Sequence, residues 1–351
     1  LQRMIEARPD TPFSHPDAGL FYGIGTGGGK MAYLFPGQGA QYLGMGKALT
    51  AAFPEAQRVY DRLGRLRFSG RTIAEIISSA DPGDKAGVKA AFLRLCGSDW
   101  ANPCISVVGE MIFALLKRMG ALPQAVASHS FGDVSAFRAA GILSEDAMIR
   151  VHRHRGELGA SCPLATKGCI LVVLETAEKI KAILKARRID NVWIANYNTA
   201  SQTVISGLRE AIHASRTAFK EEKIVNHLIP ISAAPHCPLA VEAAEKFEAY
   251  LEKQIHFKYA GCDVYSFLFG RKVNSDPGLL RRVLRAHIEK PVRFESQIEN
   301  MYADGIRIFV EVGPSDVLTR LVKHNLAGRS HVAVNTDRRK GDAVLTFLLA
   351  V

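Results

Sequence analysis

The sequence predicts an α/β protein with an α/β-hydrolase-like large subdomain, built on a parallel sheet, and an inserted ferredoxin-like small subdomain. Short apolar strands alternate with helical patterns on both sides of the insertion, which is typical of a mainly parallel sheet covered by helices. Residues 165–229 carry the pattern β-α-β-β-α-β, the split βαβ of a ferredoxin-like unit. A strand, a sharp turn and a helix around Ser130 predict a nucleophile elbow, as in α/β-hydrolases.

These patterns divide the chain into segments. We expect a linker from a preceding domain at residues 1–30, a large subdomain formed by 31–164 and 230–335, the small subdomain at 165–229, and a C-terminal tail at 336–351. The chain has no initiator Met and no signal-peptide pattern, so it looks like a piece of a longer polypeptide.

The glycine-rich stretch at 23–30 formally contains G-x-G-x-x-G, at Gly23, Gly25 and Gly28. No strand precedes it, and a strand rather than a helix follows it, so the context of a dinucleotide-binding loop is missing. The pair Gly29-Lys30 is not followed by Ser or Thr, which also rules out a P-loop. A flexible connector is the better interpretation.

Apolar runs and helical periodicity predict the individual elements. In the large subdomain we expect strands at 31–35, 119–126, 263–267, 306–312 and 331–334, and helices within 54–117 and at 147–159, 238–254, 279–288, 296–301 and 317–326. In the small subdomain we expect strands at 169–175, 192–196, 203–206 and 225–231, and helices at 179–188 and 209–222.

Composition excludes several function classes. No apolar run reaches the roughly 18 residues of a membrane span. The 6 cysteines form no C-x-x-C pair and no zinc spacing, so they indicate reduced thiols of a cytoplasmic protein without a metal site. The net charge of +11 favours anionic partners, but Lys and Arg are scattered without interleaved aromatics. Acidic proteins and phosphate-bearing molecules therefore fit better than nucleic acid.

Ser130 lies at the apex of the predicted turn, between an apolar run and the helical pattern that begins near Val134. Backbone N–H groups at such a helix N-terminus are unpaired and can stabilise an oxyanion. The elbow usually begins with glycine, whereas this chain has Ser128 there. The alternative interpretation is a serine that caps an ordinary helix.

Five short motifs occur in the order and spacing of one enzyme family. The chain resembles malonyl-CoA:acyl-carrier-protein transacylases and the acyltransferase domains of fatty acid and polyketide synthases over roughly residues 31–335. Two segments, Ala233-Ala234-Pro235-His236-Cys237-Pro238-Leu239 and Pro291-Val292-Arg293-Phe294, look most like iterative synthases of polyunsaturated fatty acid or enediyne polyketide type. The motifs are Phe35-Pro36-Gly37-Gln38-Gly39-Ala40-Gln41, Ser128-His129-Ser130-Phe131-Gly132, Arg155-Gly156, Asn196-Tyr197-Asn198 with Val204-Ile205-Ser206-Gly207, and Glu311-Val312-Gly313-Pro314.

The resemblance implies a role for each catalytic position. Ser130 matches the nucleophile, and His236 matches the base that takes its proton, since a serine hydroxyl is a poor nucleophile by itself. The backbone N–H groups of Gln38 and Phe131 match the oxyanion hole. Arg155, 25 residues after Ser130, matches the clamp for the substrate carboxylate, because a guanidinium holds a carboxylate bidentately. A lone histidine or arginine is otherwise more often structural or exposed.

Four further residues are expected to support the site: His129, His287, Asn196 and Asn198. No acid is evident for His236. The resemblance implies that a backbone carbonyl orients its imidazole instead, and His287 occupies that place, so the His287 side chain would be irrelevant.

The implied reaction moves a malonyl unit from malonyl-CoA through Ser130 to the phosphopantetheine thiol of an acyl carrier protein. No bound cofactor or metal is expected. Carrier proteins are generally acidic, which suits the net charge of +11, and a ketosynthase is the expected upstream neighbour in a larger synthase.

Departures from the family pattern keep rival interpretations open. Pro235 replaces an aromatic residue and could widen the acyl pocket or shift His236, so the choice between malonyl, methylmalonyl and other extender units stays open. A serine hydrolase or thioesterase would share the elbow but would not explain Gln38, Arg155 or the insertion. A non-catalytic scaffold domain is the other alternative.

Overall fold

The structure is a computed structural model that describes residues 2–7, 9–11, 13–15, 20–22, 28–78, 81, 83–229 and 233–351. Its strands are β1 Phe13–His15, β2 Leu20–Tyr22, β3 Lys30–Phe35, β4 Arg67–Phe68, β5 Arg71–Thr72, β6 Ala125–Ser128, β7 Gly168–Val173, β8 Val192–Thr199, β9 Gln202–Leu208, β10 Asn226–Ile229, β11 Asp263–Ser266, β12 Arg271–Val273, β13 Val292–Arg293, β14 Ile306–Glu311 and β15 Val332–Asn335. Its helices are α1 Gln2–Ala7, α2 Lys47–Ala52, α3 Pro54–Leu63, α4 Ile73–Ile77, α5 Lys85–Leu95, α6 Ser98–Arg118, α7 Asp133–Ala139, α8 Glu145–Ser161, α9 Ala177–Ala186, α10 Arg209–Glu221, α11 Val241–Gln254, α12 Pro277–Ala286, α13 Phe294–Ala303, α14 Val317–Asn325 and α15 Ala343–Ala350.

The larger sheet has six strands in the order β12-β11-β6-β3-β14-β15. All neighbours are parallel except the edge pair β11–β12. Both faces are covered by helices: Tyr33 and Phe35 of β3 pack into one apolar cluster, whereas Ala32 and Leu34 pack into another. This alternation follows from the period of two along a strand. The predicted α/β fold class is confirmed, and it brings the carboxyl ends of β3 and β6 side by side.

The smaller sheet has five strands in the order β10-β7-β9-β8-β13. Strand β9 lies between β7 and β8 and is antiparallel to both, which is the split βαβ arrangement predicted from the sequence. The fifth strand, β13, was not expected in this sheet. It pairs in parallel with β8 through Val292 opposite Asn196, and it ties the motif after Pro291 to the small subdomain.

Several predicted elements differ from the structure. The apolar run at 119–126 yields a strand only from Ala125, because α6 ends at a C-cap, Met119, and the next residue, Gly120, has φ +76°. The predicted linker contains the helix α1 and the antiparallel hairpin β1–β2 in its described parts, whereas residues 23–27 of the glycine-rich stretch lie outside the described residues. The strand expected to reach residue 231 is described only to Ile229.

Helix α6 lies in the interior of the fold. Its 21 residues are long and apolar enough to cross a membrane by length and composition, yet 89% of its most apolar window is buried inside the protein. It is the central helix of the layer that packs against α3 and α8.

The basic run in α8 is not the solvated face that charge alone would predict. His152, Arg153 and Arg155 are all buried, so this helix brings cationic side chains inside the fold. A buried charge requires a partner, and the partner of Arg155 proves important for the site.

Candidate active site

Ser130 occupies a strained turn between β6 and α7. Its φ is +53°, in the left-handed region that non-glycine residues seldom adopt. The turn is tight because a Cβ added at Gly132 would lie 2.0 Å from the carbonyl oxygen of Phe35. Ser128, the last residue of β6, is buried and fits the turn in place of the usual glycine. The sequence pattern therefore forms an elbow with Ser130 at its apex.

The structure brings His236 to Ser130. Ser130 Oγ lies 2.7 Å from His236 Nε2, and His236 Nδ1 lies 3.0 Å from the carbonyl oxygen of Lys290. The backbone N–H of His236 also donates to the carbonyl of Ile288 at 2.8 Å. A backbone carbonyl thus orients the imidazole, but it belongs to Lys290; the prediction that His287 supplies it was wrong. Pro235 has not moved His236 away from the serine.

The imidazole of His236 is neutral at physiological pH. Burial and the nearby cation of Arg155 lower its pKa to about 3, although the bond to the Lys290 carbonyl acts in the opposite direction. With its proton on Nδ1, facing Lys290, Nε2 is free to accept the proton of Ser130. This is the form that a general base needs.

The loop after β3 lies directly against the elbow. A Cβ added at Gly37 would be 2.5 Å from the carbonyl oxygen of His129 and 3.2 Å from Phe131 N, so only glycine permits this approach. The Gln38 side chain anchors the loop by donating from Nε2 to the carbonyl of Cys96 at 2.7 Å. In the described ranges, the backbone N–H groups of Gln38 and Phe131 have no hydrogen-bond acceptor. They are free to act as an oxyanion hole.

His129 links the elbow to the small subdomain. Its Nε2 lies 2.8 Å from Asn198 Oδ1 and 3.2 Å from Asn196 Nδ2, both on β8. Its ring packs against Phe294 at 5.5 Å between centroids. These contacts make His129, Asn196 and Asn198 structural supports that fix the two subdomains around the serine.

A cleft of about 740 Å³ opens over the serine between the two sheets. The walls come from the elbow, the loop after β3, the strands of the small subdomain and the helix α14. Arg320 and His324 of α14 and His227 of β10 also line it. The size suits an extended substrate that reaches Ser130 from solvent.

Arg155 is buried beside the dyad and forms an ion pair that the sequence analysis missed. Arg155 Nη1 donates to both carboxylate oxygens of Asp133 at 2.8 Å, and the two side chains are 2% and 1% exposed. The guanidinium also lies over the ring of Phe131, 4.2 Å from its centroid. The interpretation of Arg155 as an exposed arginine is therefore wrong. The sequence did contain a signal for this ion pair, because Asp133 lies three residues after Ser130, one helical turn from the apex.

The His287 side chain, predicted to be irrelevant, joins this ion pair. Its Nδ1 lies 2.7 Å from Asp133 Oδ2, and its Nε2 lies 2.9 Å from Ser266 Oγ. Burial by itself would raise the pKa of Asp133, but Arg155 and His287 together hold it well below its usual value. Burial lowers the pKa of His287, and the Asp133 carboxylate counteracts this only in part.

A second, smaller cavity of about 30 Å³ adjoins the cleft. Gln38, Phe131 and Pro235 line both spaces, so the cavity begins where the cleft reaches the dyad. Apart from Ser98 and Arg155, its remaining walls are apolar. Within the part of the chain that the structure describes, the buried Nε of Arg155 has no hydrogen-bond partner. The cavity has room for a carboxylate-sized group, and it is lined by Arg155, whose guanidinium retains a donor that lacks an acceptor.

An elbow serine, a neutral histidine oriented by a carbonyl and two free N–H groups define a serine enzyme of the acyl-transfer class. The comparisons with known proteins agree with this class. The family described as "Acyl transferase domain" matches residues 32–350, and the chain belongs to that family. The match extends through α15, beyond the limit of residue 335 expected from the motifs. The protein is an acyltransferase, which contradicts the scaffold alternative.

The relatives include free-standing enzymes and parts of large synthases. The chain is 31% identical over 299 residues to the malonyl CoA-acyl carrier protein transacylase of Bacillus subtilis, covering 84% of this chain and 90% of the relative. It is 28% identical over 317 residues to a polyunsaturated fatty acid synthase polypeptide of Thraustochytrium, covering 87% of this chain but 11% of that polypeptide. The acyltransferase domain from the second module of the salinomycin polyketide synthase superimposes with a TM-score of 0.78 at 27% identity, covering 92% of this chain and 72% of that one.

Proposed function

We propose that this acyltransferase moves a malonyl unit from malonyl-CoA to the phosphopantetheine thiol of an acyl carrier protein. The observation that carries the proposal is the 2.7 Å contact between Ser130 Oγ and His236 Nε2, with the Arg155 cation buried beside it. A relative 31% identical over most of its length bears the name of this reaction.

In the first half-reaction, Ser130 Oγ attacks the thioester carbonyl while its proton passes to His236 Nε2. The negative charge that develops on the carbonyl oxygen is stabilised by the N–H groups of Gln38 and Phe131. As the tetrahedral intermediate collapses, the C–S bond breaks and the CoA thiolate takes the proton from His236. The carrier-protein thiol then reverses these steps on the malonyl ester.

The acyl group reaches the cavity next to Arg155. The free Nε edge of the guanidinium would bind the malonyl carboxylate while Nη1 stays on Asp133. A guanidinium can serve both carboxylates because it carries five donors in one plane.

We also propose the wider setting of the domain. Its carrier protein is acidic, it is part of a cytoplasmic synthase of polyketide or polyunsaturated fatty acid type, and a ketosynthase precedes it. The net charge of +11 and the multidomain relatives support this setting. The linker at 1–30, the small subdomain at 165–229 and the tail at 336–351 remain proposed boundaries.

The proposal is tested by intact-mass detection of the acyl-enzyme. Wild type incubated with malonyl-CoA should gain one malonyl adduct, whereas Ser130→Ala should gain none at unchanged thermal stability. His236→Ala should acylate at least about a hundredfold more slowly, which is the usual contribution of a positioned general base. A Ser130→Ala protein that is still fully malonylated would refute the assignment. Fast release of free malonate without any thiol acceptor would favour a hydrolase instead.

A further inference from the structure

The buried groups around Arg155 carry no net charge before a substrate enters. The Arg155 cation and the Asp133 carboxylate cancel each other at 2.8 Å, and both are almost completely buried. His287 is neutral because burial lowers its pKa. Burial likewise lowers the pKa values of His236 and His152 to about 3, so both are neutral as well.

Among the described residues, the groups that face His287 are few and come from separate elements. Phe267 stacks on its ring at 3.8 Å between centroids and lies between His287 and His236. On its own turn, Glu289 pairs with Arg285 at 2.6 Å, so neither is a free charge. The facing titratable, charged and hydrogen-bonding groups are Asp133 of α7, Arg155 of α8, Ser266 of β11 and His236 before α11.

A carboxylate entering the 30 Å³ cavity upsets this balance. Two carboxylates would then share the single guanidinium of Arg155, and the buried site would carry one uncompensated negative charge. A net charge in a buried site is costly unless a second ion neutralises it. An acetyl group in the same cavity changes nothing, because it brings no charge.

We propose that the acyl carboxylate binds together with one proton, which His287 takes from solvent, and that His287 and Asp133 thereby set the preference between charged and uncharged acyl groups. The inference rests on the proposed binding of the malonyl carboxylate by Arg155. Asp133 and His287 act here as positioning and charge-balancing residues.

The surroundings of His287 suit both protonation states. The doubly protonated ring needs two acceptors, and it has them in Asp133 Oδ2 at 2.7 Å and Ser266 Oγ at 2.9 Å. In the neutral ring, the serine hydroxyl can turn and donate to the nitrogen that lacks a proton. When the malonyl carboxylate also binds Arg155, the guanidinium no longer fully neutralises Asp133. The excess negative charge beside His287 then favours its protonated form, which raises the pKa of His287 above its value in the free enzyme.

The sign of the pH effect follows from this change. A proton taken up on binding stabilises the malonyl-enzyme at low pH, and the benefit is lost as the pH rises through the raised pKa of His287. The window lies between the pKa in the free enzyme, which is below its ordinary value, and the pKa in the malonyl-enzyme. Within it, the ratio of malonyl-enzyme to acetyl-enzyme should rise up to about tenfold for each unit of pH decrease, since one proton is bound.

The experiment measures an exchange equilibrium. Enzyme is incubated with a fixed ratio of malonyl-CoA to acetyl-CoA at several values between about pH 5.5 and about pH 8.5, where the malonyl carboxylate stays ionised. Intact mass gives the ratio of the two acyl-enzymes. Both acylation reactions release the same CoA thiol, so the titration of this thiol has no effect on the ratio of the two acyl-enzymes. A ratio that is independent of pH in the wild type would overturn the proposal.

Two variants assign the proton. In His287→Gln the amide can still donate to Asp133 but takes up no proton, so the ratio should become flat. His256→Gln removes an exposed histidine that makes none of these contacts, and it should keep the wild-type slope. If His287→Gln keeps the slope, the proton resides elsewhere and the role of His287 is refuted.

A direct measurement covers the case in which His287→Gln does not fold. Calorimetry of wild-type acylation in two buffers of different ionisation heat counts the protons that the enzyme binds. Acylation by malonyl-CoA should be accompanied by uptake of close to one proton more than acylation by acetyl-CoA. Failure of the underlying function is recognisable separately. If the malonyl preference survives the loss of Arg155, the clamp itself is wrong, whereas a preference that needs Arg155 but ignores pH refutes the proton coupling alone.

Discussion

At the scale of single residues, the buried pair Arg155–Asp133 changes what a substitution of Arg155 measures. Removing the arginine leaves Asp133 buried, with His287 and the backbone N–H of Val134 as its remaining partners. Removing one partner of a buried ion pair lowers the free energy of unfolding by about 3–5 kcal/mol, whereas removing both charges often leaves it nearly unchanged. An inactive Arg155→Ala protein could therefore reflect a damaged fold, and the double variant Asp133→Asn/Arg155→Ala is the matched control.

We predict that both variants lose malonyl transfer and keep acetyl transfer. A carboxylate without its buried partner costs about 2–5 kcal/mol, which is about thirtyfold to several thousandfold in rate or affinity. An acetyl group loses nothing, so the preference should invert. Competitive acylation by malonyl-CoA and acetyl-CoA, measured by intact mass, tests this.

Thermal unfolding of the same proteins separates the two effects. Arg155→Ala should have a lower Tm than the double variant, because it alone retains the buried Asp133 carboxylate without the guanidinium. A wild-type preference for malonyl in either variant would show that Arg155 does not bind the carboxylate.

At the scale of elements, the loop between β3 and α2 determines whether the oxyanion hole exists. The elbow supplies the N–H of Phe131 by itself, but the N–H of Gln38 depends on how closely the loop approaches. Gly37 permits that approach, because any Cβ there would meet the backbone of His129. The anchor of Gln38 on Cys96 then holds the loop in place.

We predict that Gly37→Ala yields a folded protein with a defective oxyanion hole. The added Cβ must relieve a 2.5 Å contact with the His129 carbonyl, so the loop has to move away from Ser130. Loss of one oxyanion donor reduces rates by about a hundredfold to a thousandfold. Single-turnover acylation by malonyl-CoA measures this, with circular dichroism as the test of folding.

Gly261→Ala is the control for the glycine substitution. Its added Cβ would lie 3.5 Å from the Ala140 carbonyl oxygen, an ordinary contact, and it is remote from the dyad. This variant should acylate at the wild-type rate. A Gly37→Ala protein that acylates equally fast would mean that Gln38 contributes no oxyanion donor.

At the scale of the whole molecule, the two sheets form a cleft and the surface carries an excess of positive charge. The net charge is +11, and Arg320, which pairs with Asp316 and has a side chain that is 68% exposed, lines the cleft that also contains Ser130. Long-range charges of this kind act mainly on the rate at which charged partners associate. An acidic carrier protein would benefit most.

We predict that transfer from malonyl-enzyme to a carrier protein weakens as salt increases. The attraction between exposed charges falls off over about 10 Å at 0.1 M salt and over about 3 Å at 1 M. Free pantetheine carries no net charge and should be malonylated at a rate that depends little on salt. Initial rates for both acceptors across a salt series test this, and an equal dependence would argue against electrostatic docking of the carrier protein.

Much of the fold could be predicted because local patterns encode it. The period of two in β3 and the split βαβ pattern of the insertion both appear in the structure as expected. Strand β13 could not be predicted, since two residues, Val292 and Arg293, form it only by pairing with β8. Strand β6 is shorter than its apolar run because the end of α6 uses the first residues of that run.

The sequence by itself determined the residue types, their order and the family: an elbow serine, a histidine more than a hundred positions later, and an arginine between them. The tertiary structure alone decided which groups meet. In the folded chain, His236 contacts the carbonyl of Lys290 and not that of His287, and Arg155 is buried against Asp133. The physical reason is that hydrogen bonds and ion pairs act over a few ångströms between residues far apart in the chain, whereas sequence patterns report only on neighbours along a strand or a helix.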